Sequence, residues 1–294
     1  MEVSTPLQWQ PRLGDPTGLR SGKPRTTGKT MVIDKGLGLH ALEDLLQTAG
    51  RHMDMLKIGF GTSPLYDTSL LRKKIEMVKA HDILIYPGGT FLEVAIVQQS
   101  VDHYMDMLAY LGFTGIEVSD GTIEVPRSLR SELILRGRDA GLTVITEYGK
   151  KGWGSAIELE ELVETAVIDA ELGAELVTIE GRESGKGVGI YDESGGCKDE
   201  ELERVLSQVP HPGMLLWEAP HKDQQVHLLQ RIGSHIHLGN ILPSDVISLE
   251  ALRRGLRSDT LALERLDTAQ PYRHVQAASR QHTQPAGAAW FYQI

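Results

Sequence analysis

The chain has 294 residues, 40% of them hydrophobic, enough to bury one large core and unlike the composition of a disordered segment. Its 30 Lys and Arg stand against 40 Asp and Glu, a net charge of -10 that argues against a nucleic-acid binder working through a broad basic face. The single cysteine, Cys197, has no partner for an internal disulfide and lies in a polar stretch that reads as a loop.

Residues 1–28 are rich in Pro, Gly, Thr and Arg without periodicity and read as an extended N-terminal arm. From residue 29, short apolar runs of strand type alternate with longer helical patterns. The first runs are Met31-Val32-Ile33, Met53-Asp54-Met55-Leu56-Lys57-Ile58 and Ile83-Leu84-Ile85-Tyr86. Four more each end in a glutamate: Thr114-Gly115-Ile116-Glu117, Val144-Ile145-Thr146-Glu147, Val177-Thr178-Ile179-Glu180 and Leu215-Leu216-Trp217-Glu218. His235-Ile236-His237-Leu238 makes an eighth.

Between them, Leu39, Leu42, Leu45 and Leu46 share one helical face, as do Leu71, Ile75 and Val78. Val101, Met105 and Leu108 predict one longer third helix. Ser155 reads as the cap of a helix carrying Leu159, Leu162 and Ala166, and Ser244 as the cap of a closing helix over about 244–256. Eight such alternations predict a single-domain α/β protein, a (β/α)8 TIM barrel over 29–264, with a doubly wound open sheet as the alternative. Residues 265–294 lack an amphipathic stripe and are read as a loosely ordered tail. No apolar run approaches the roughly 18–20 residues of a membrane span, and no apolar signal core opens the chain, so a cytoplasmic location is expected.

A barrel of this kind carries its active site at the C-terminal ends of the strands. Those ends hold Glu117, Glu147, Glu180 and Glu218, together with Lys57, Lys151 and Arg182. Unpaired carboxylates on one arc repel one another, and either a divalent cation or interleaved Lys and Arg relieves that repulsion. Gly59-Phe60-Gly61-Thr62-Ser63 and Gly88-Gly89-Thr90 offer turns whose backbone N–H groups suit an anion, although such turns also serve simply to reverse the chain. His235 and His237 alternate on the last run without a third ligand at zinc spacing. Residues 185–189, Gly-Lys-Gly-Val-Gly, read as a mobile loop beside the site.

Several ordered motifs resemble the phosphosulfolactate synthase family, which includes plant heat-stress-associated relatives. They are Lys57-Ile58-Gly59-Phe60-Gly61-Thr62-Ser63, Ile116-Glu117-Val118-Ser119-Asp120-Gly121, Glu147-Tyr148-Gly149-Lys150-Lys151, Glu180-Gly181-Arg182-Glu183-Ser184-Gly185, Trp217-Glu218-Ala219-Pro220 and Gly239-Asn240-Ile241. The resemblance implies an enzyme that adds sulfite to phosphoenolpyruvate with Mg²⁺, giving (2R)-phospho-3-sulfolactate at the head of coenzyme M biosynthesis. It also implies a homo-oligomer.

On that reading Glu117, Glu147, Glu180 and Glu218 are the metal-ligand candidates. Lys151, Lys57 and Glu147 are the catalytic ones, Lys151 as a general acid with a lowered pKa. Gly61, Thr62, Ser63, Gly89, Arg182 and Asn240 are the substrate-binding candidates. Another enolate-forming barrel that uses phosphoenolpyruvate, or a noncatalytic stress-tolerance barrel, are the alternatives.

Overall fold

The computed structural model describes residues 9–261. The expected tail over 265–294 lies outside them. Eight parallel strands form one sheet: β1 Thr30–Asp34, β2 Met55–Ile58, β3 Leu84–Pro87, β4 Gly115–Val118, β5 Thr143–Tyr148, β6 Ala174–Ile179, β7 Leu215–Glu218 and β8 His237–Ile241. Their order is β3-β2-β1-β8-β7-β6-β5-β4, so β1 pairs with β8. The two ends meet where Thr114 donates its N–H to the Ile85 carbonyl at 3.1 Å. Thr114 Oγ1 accepts the Ile85 N–H at 2.9 Å, a side chain standing in for a backbone partner at the seam. The sheet therefore curls into a nearly closed (β/α)8 barrel, and the open-sheet alternative falls.

The helices are α1 Pro11–Gly14, α2 Leu39–Ala49, α3 Thr68–Lys79, α4 Gly89–Val97, α5 Val101–Leu111, α6 Arg127–Asp139, α7 Leu159–Leu172, α8 Asp199–Gln208, α9 Lys222–Ile232 and α10 Val246–Arg253. Side-chain alternation divides the strands in two. Met31, Met55, Tyr86, Ile145, Leu176 and Leu216 pack together as one layer inside the barrel. Their neighbours, such as Val32, Leu56, Ile85, Ile116, Val144, Val177 and Trp217, pack outward in a second core that includes the helices. Two residues beyond the inner layer, on the same face, come Lys57, Glu147 and Glu218, which is how polar groups reach the mouth.

Several local expectations change. The long third helix is two, α4 and α5, separated at Gln99, which has a left-handed φ of 53°. Neither serine caps its helix. α7 begins after Glu158 and α10 after Asp245, with no side-chain cap hydrogen bond at either. The eighth strand starts at His237, leaving His235 in the preceding turn. His237 Nδ1 accepts the Lys29 N–H at 3.1 Å, and Nε2 lies 2.9 Å from the Gly213 carbonyl. Burial pushes this imidazole down to about 3, so it is a satisfied core group closing the lower end of the barrel. No described helix is long and apolar enough to cross a membrane.

Candidate active site

The strand ends enclose a cavity of about 490 Å³ lined by Lys57, Gly89, Glu117, Glu147, Lys151, Glu180, Arg182, Glu218 and Asn240, among others. Nine of the sequence candidates thus converge on one space, from seven different strands or the loops that follow them.

The central group is Lys57, whose buried Nζ lies 3.0 Å from Glu218 Oε1, 3.2 Å from Glu117 Oε1 and 3.7 Å from Glu147 Oε2. Lys151 forms the second node. Its Nζ pairs with Glu147 and lies 3.0 Å from Glu180 Oε2. The four glutamates are therefore a lattice knitted by two lysines. Among the described residues no group of three or more His, Cys, Asp or Glu side chains converges on a point where an ion would sit. The four-carboxylate ring expected from the sequence is divided among ion pairs, because the two lysines project between the acids.

Backbone donors fix the remaining carboxylate oxygens. Glu117 Oε2 accepts the Gly89 N–H at 2.6 Å, Glu218 Oε2 the Gly181 N–H at 3.1 Å, and Glu180 Oε1 the Arg182 N–H at 2.6 Å. This corrects the expectation for Gly89: its N–H is taken by Glu117. Glycine is required there because a Cβ would meet Ser119 Oγ at 2.4 Å.

Four acids face two lysines inside a buried site, and their proton affinities separate accordingly. Burial pushes Glu117 up to about 7, with Lys57 and the Gly89 N–H opposing and Glu147 adding to the rise. Burial also raises Glu180, reinforced by the charges of Glu147 and Glu218. For Glu147 burial is outweighed by Lys151 and Lys57 on either side, which hold it down at about 2. Both lysines titrate above their ordinary range, since the surrounding carboxylates overcome burial. The lowered pKa expected for Lys151 is thus reversed, for it sits between acids rather than among cations.

Gly61, Thr62 and Ser63 are not brought into the cavity. Thr62 Oγ1 donates to the Gly59 carbonyl at 2.7 Å, and Ser63 is buried at the start of the 3₁₀ turn Ser63–Leu65. Ser63 lines a separate apolar cavity beside Tyr66, Phe91 and Tyr104. Phe60 lines the active-site cavity in their place, with Thr90, Thr122 and Glu183. Arg182 projects from a left-handed backbone with φ 58°, exposed and without an ion pair among the described residues. Asn240, also left-handed at φ 52°, is buried with its Oδ1 unpartnered.

Sequence reading also passed over Glu93. This buried α4 carboxylate accepts Ser119 Oγ at 2.6 Å, Thr122 N–H at 2.8 Å and Ile123 N–H at 3.0 Å. It pins the loop after β4, whose Gly121 carbonyl in turn accepts the Lys151 N–H at 2.9 Å. Only the Ser119–Glu93 separation in space, invisible in the sequence, reveals the role. The glycine-rich segment 185–189 is held down too. Gln224 Nε2 donates to the Gly185 carbonyl at 2.7 Å, and the Gly187 carbonyl accepts the Gly154 N–H at 2.8 Å. Cys197 is half-buried with its thiol pushed up to about 12 by burial, which leaves no reactive thiolate near neutrality.

Comparison with known proteins agrees with this geometry. Among solved structures, the YdjI aldolase from Escherichia coli K12 superimposes with a TM-score of 0.50 at 12% identity, covering 87% of this chain and 91% of that one. A 3-dehydroquinate dehydratase from Enterococcus faecalis gives 0.50 at 12%, covering 80% and 96%. At that identity the likeness speaks for the barrel alone.

The sequence relatives are more specific. A phosphosulfolactate synthase of Methanothermobacter thermautotrophicus is 39% identical over 244 residues, 82% of this chain and 94% of that protein. The Bacillus subtilis phosphosulfolactate synthase is 38% identical over 247 residues, 83% and 96% respectively. The family model for (2R)-phospho-3-sulfolactate synthase (ComA) matches residues 18–259, a span that takes in every strand of the barrel and both lysine nodes. With the barrel, the lattice at its mouth and these relatives in agreement, the chain is an enzyme belonging to the (2R)-phospho-3-sulfolactate synthase family.

Proposed function

We propose that this enzyme adds sulfite to phosphoenolpyruvate to give (2R)-phospho-3-sulfolactate, with Mg²⁺ as cofactor. The observation that carries the reading is the buried lattice of Lys57 and Lys151 among four glutamates, with the unpaired Arg182 beside it. Sulfur attacks the methylene carbon and forms the C–S bond. The π electrons of the double bond move onto the carboxylate as an aci-carboxylate, and a proton then adds to the carbon bearing phosphate. Charge developing in a buried site is best met by donors already fixed in place. Lys57, locked by three carboxylates, is a preset positive charge at the base of the cavity. Lys151 is less buried and keeps its proton at neutral pH, so it is the donor to carbon on this reading, with Glu147 orienting it. Arg182 is exposed on the cavity to receive substrate oxygens, and Asn240 can do so only by donating its amide N–H.

The donor set suits a hard divalent cation. Glu147 and Glu180 lie within hydrogen-bonding reach of each other, and the Lys151 ammonium is the one charge set against the buried Glu180 Oε2 among the described residues. One or two carboxylates with water and substrate oxygens suffice for Mg²⁺. Glu147 and Glu180 would hold it, and it would supply charge stabilisation to the substrate carboxylate. Without such a cation, an acid-rich cavity repels two anionic substrates.

The test is sulfite-dependent loss of phosphoenolpyruvate with Mg²⁺ present and absent, in the wild type, Glu147→Gln and Lys151→Ala. Activity should require Mg²⁺ and fall by about 10²-fold or more in both variants. Full activity in both would sink these roles, and no turnover with any divalent metal would sink the reaction. A cytoplasmic setting and self-association belong to the same reading. Val94 and Val97 of α4 and Tyr110 of α5 leave apolar surface exposed, and sedimentation of the purified protein should show more than a monomer.

A further inference from the structure

Phe60 stands out in the cavity on three counts. First, it is one of two apolar side chains lining that space among the described residues, the other being Ile33, in a wall otherwise made of charged, polar and glycine residues. Second, the residue is 40% exposed, which sets it apart from the buried aromatics Tyr86, Tyr104 and Tyr191. Third, its backbone is left-handed, with φ 56°, a conformation that bulky L residues rarely adopt and that costs free energy.

The neighbouring glycines sharpen the third point. Phe60 lies between Gly59 and Gly61. Gly59 is explained by packing, since a Cβ there would approach the Asp34 carbonyl oxygen and Ile33 Cγ1 at 3.2 Å each. At Gly61 a Cβ would meet open space. The turn thus has glycine where crowding demands it, yet carries a large ring at the position where glycine would relieve the backbone. Gly88 fits the same picture: a Cβ there would lie 3.0 Å from both the N and O of Phe60, so the β3 loop is cut back to hold this residue. A strained backbone persists when its surroundings over-determine it, and such strain gathers at ligand sites.

We infer that Phe60 is a specificity-determining residue whose ring covers the bound substrate's apolar methylene carbon. This rests on the reading of the substrate as phosphoenolpyruvate, whose methylene is its one uncharged end. The carboxylate and phosphate find Arg182, Asn240 and the lysines, while one face of the methylene meets the ring and the opposite face stays open to sulfite. An apolar contact of this size discriminates through substrate affinity more than through the chemical step.

The experiment compares the wild type with Phe60→Gly and Phe60→Asn, both of which tolerate a left-handed backbone. Thermal denaturation and steady-state kinetics with phosphoenolpyruvate and sulfite are measured on each. The expected result is a Tm in Phe60→Gly at or above that of the wild type. KM for phosphoenolpyruvate should rise about tenfold in both variants, with a smaller change in kcat. An active wild type whose KM is matched by either folded variant overturns the inference alone. Failure of both variants to fold, or a lowered Tm with unchanged KM, makes the ring structural and overturns it as well. A wild type that consumes no phosphoenolpyruvate with sulfite overturns the substrate reading and the inference resting on it.

Discussion

The two ends of the barrel carry opposite electrostatic imbalances. At the C-terminal mouth four buried glutamates share Lys57 and Lys151. At the N-terminal end arginines outnumber acids. Arg20 and Arg254 both reach Glu250, at 2.9 and 2.7 Å, and Arg25 reaches Asp54 at 2.9 Å. The buried Arg253 donates to the Ser234 and Ile236 carbonyls at 2.6 and 2.8 Å. There the excess charge is absorbed by backbone oxygens, and the arm over residues 9–28 is tied to the barrel by the same contacts. At the mouth three backbone N–H groups meet carboxylate oxygens, yet the acids still outnumber the lysines and crowd one another, so proton affinities split: Glu117 and Glu180 rise while Glu147 falls. An imbalance satisfied by carbonyls is structure, whereas an imbalance left to protons and ligands is chemistry.

The largest effect expected from breaking this contrast is at Lys57. Lys57→Met leaves three carboxylates facing one another, and should cost about 3 kcal/mol by urea denaturation together with essentially all activity, because a buried charge network has lost its partner. A variant as stable and active as the wild type would remove Lys57 from the centre of the site. Glu250→Gln probes the other end. It strips the partner from Arg20 and Arg254 and should cost about 2–3 kcal/mol while kcat/KM of the folded enzyme stays unchanged. A fall in kcat/KM there would show the two ends to be coupled.

The pH dependence of stability separates two acids of the mouth. Glu117 binds its proton more tightly folded than its ordinary 4.5, reaching about 7, so its contribution is fully present below pH 4.5 and is lost as pH rises towards 7. Glu147 runs the other way, contributing above 4.5 and losing that contribution as pH falls towards 2. Glu117→Gln should therefore flatten the decline in stability between about pH 4.5 and 7, a change on the order of 1–3 kcal/mol readable from urea midpoints. An unaltered slope would mean that Glu117 stays ionised throughout. The smallest effect belongs to Glu93→Gln, which weakens three hydrogen bonds to the β4 loop at a cost of about 1–2 kcal/mol. Because Thr122 lines the cavity on that loop, KM should rise while kcat changes little; the reverse split would place Glu93 closer to the chemistry.

Most of the barrel was legible in the chain because strand and helix periodicities are local. Val32, Leu56 and Val144 face the helices while Met31, Met55 and Ile145 face inward, an alternation written residue by residue. Capping was not legible at Ser155 or Ser244, since a serine near a helix start can be bypassed when the first turn begins elsewhere. The candidates at strand ends line the cavity for the same local reason, as Glu117, Glu147, Glu180 and Glu218 each close an apolar run and Lys57 stands one residue before the end of its own. The Gly61-Thr62-Ser63 assignment failed because one residue of turn geometry decides which side of a loop faces the cavity, and Phe60 took that place.

By itself, then, the sequence determined the eight alternations, the inward periodicity of each strand and the ring position of the acids, all of which depend on neighbours within a few residues. Tertiary structure decided the rest: which acid meets which lysine, that Lys151 gains proton affinity where a loss was expected, and that Glu93 holds a loop from another element. Those outcomes depend on distances between groups tens to hundreds of residues apart. Coulomb interaction and desolvation vary steeply with such distances, and no local pattern encodes them.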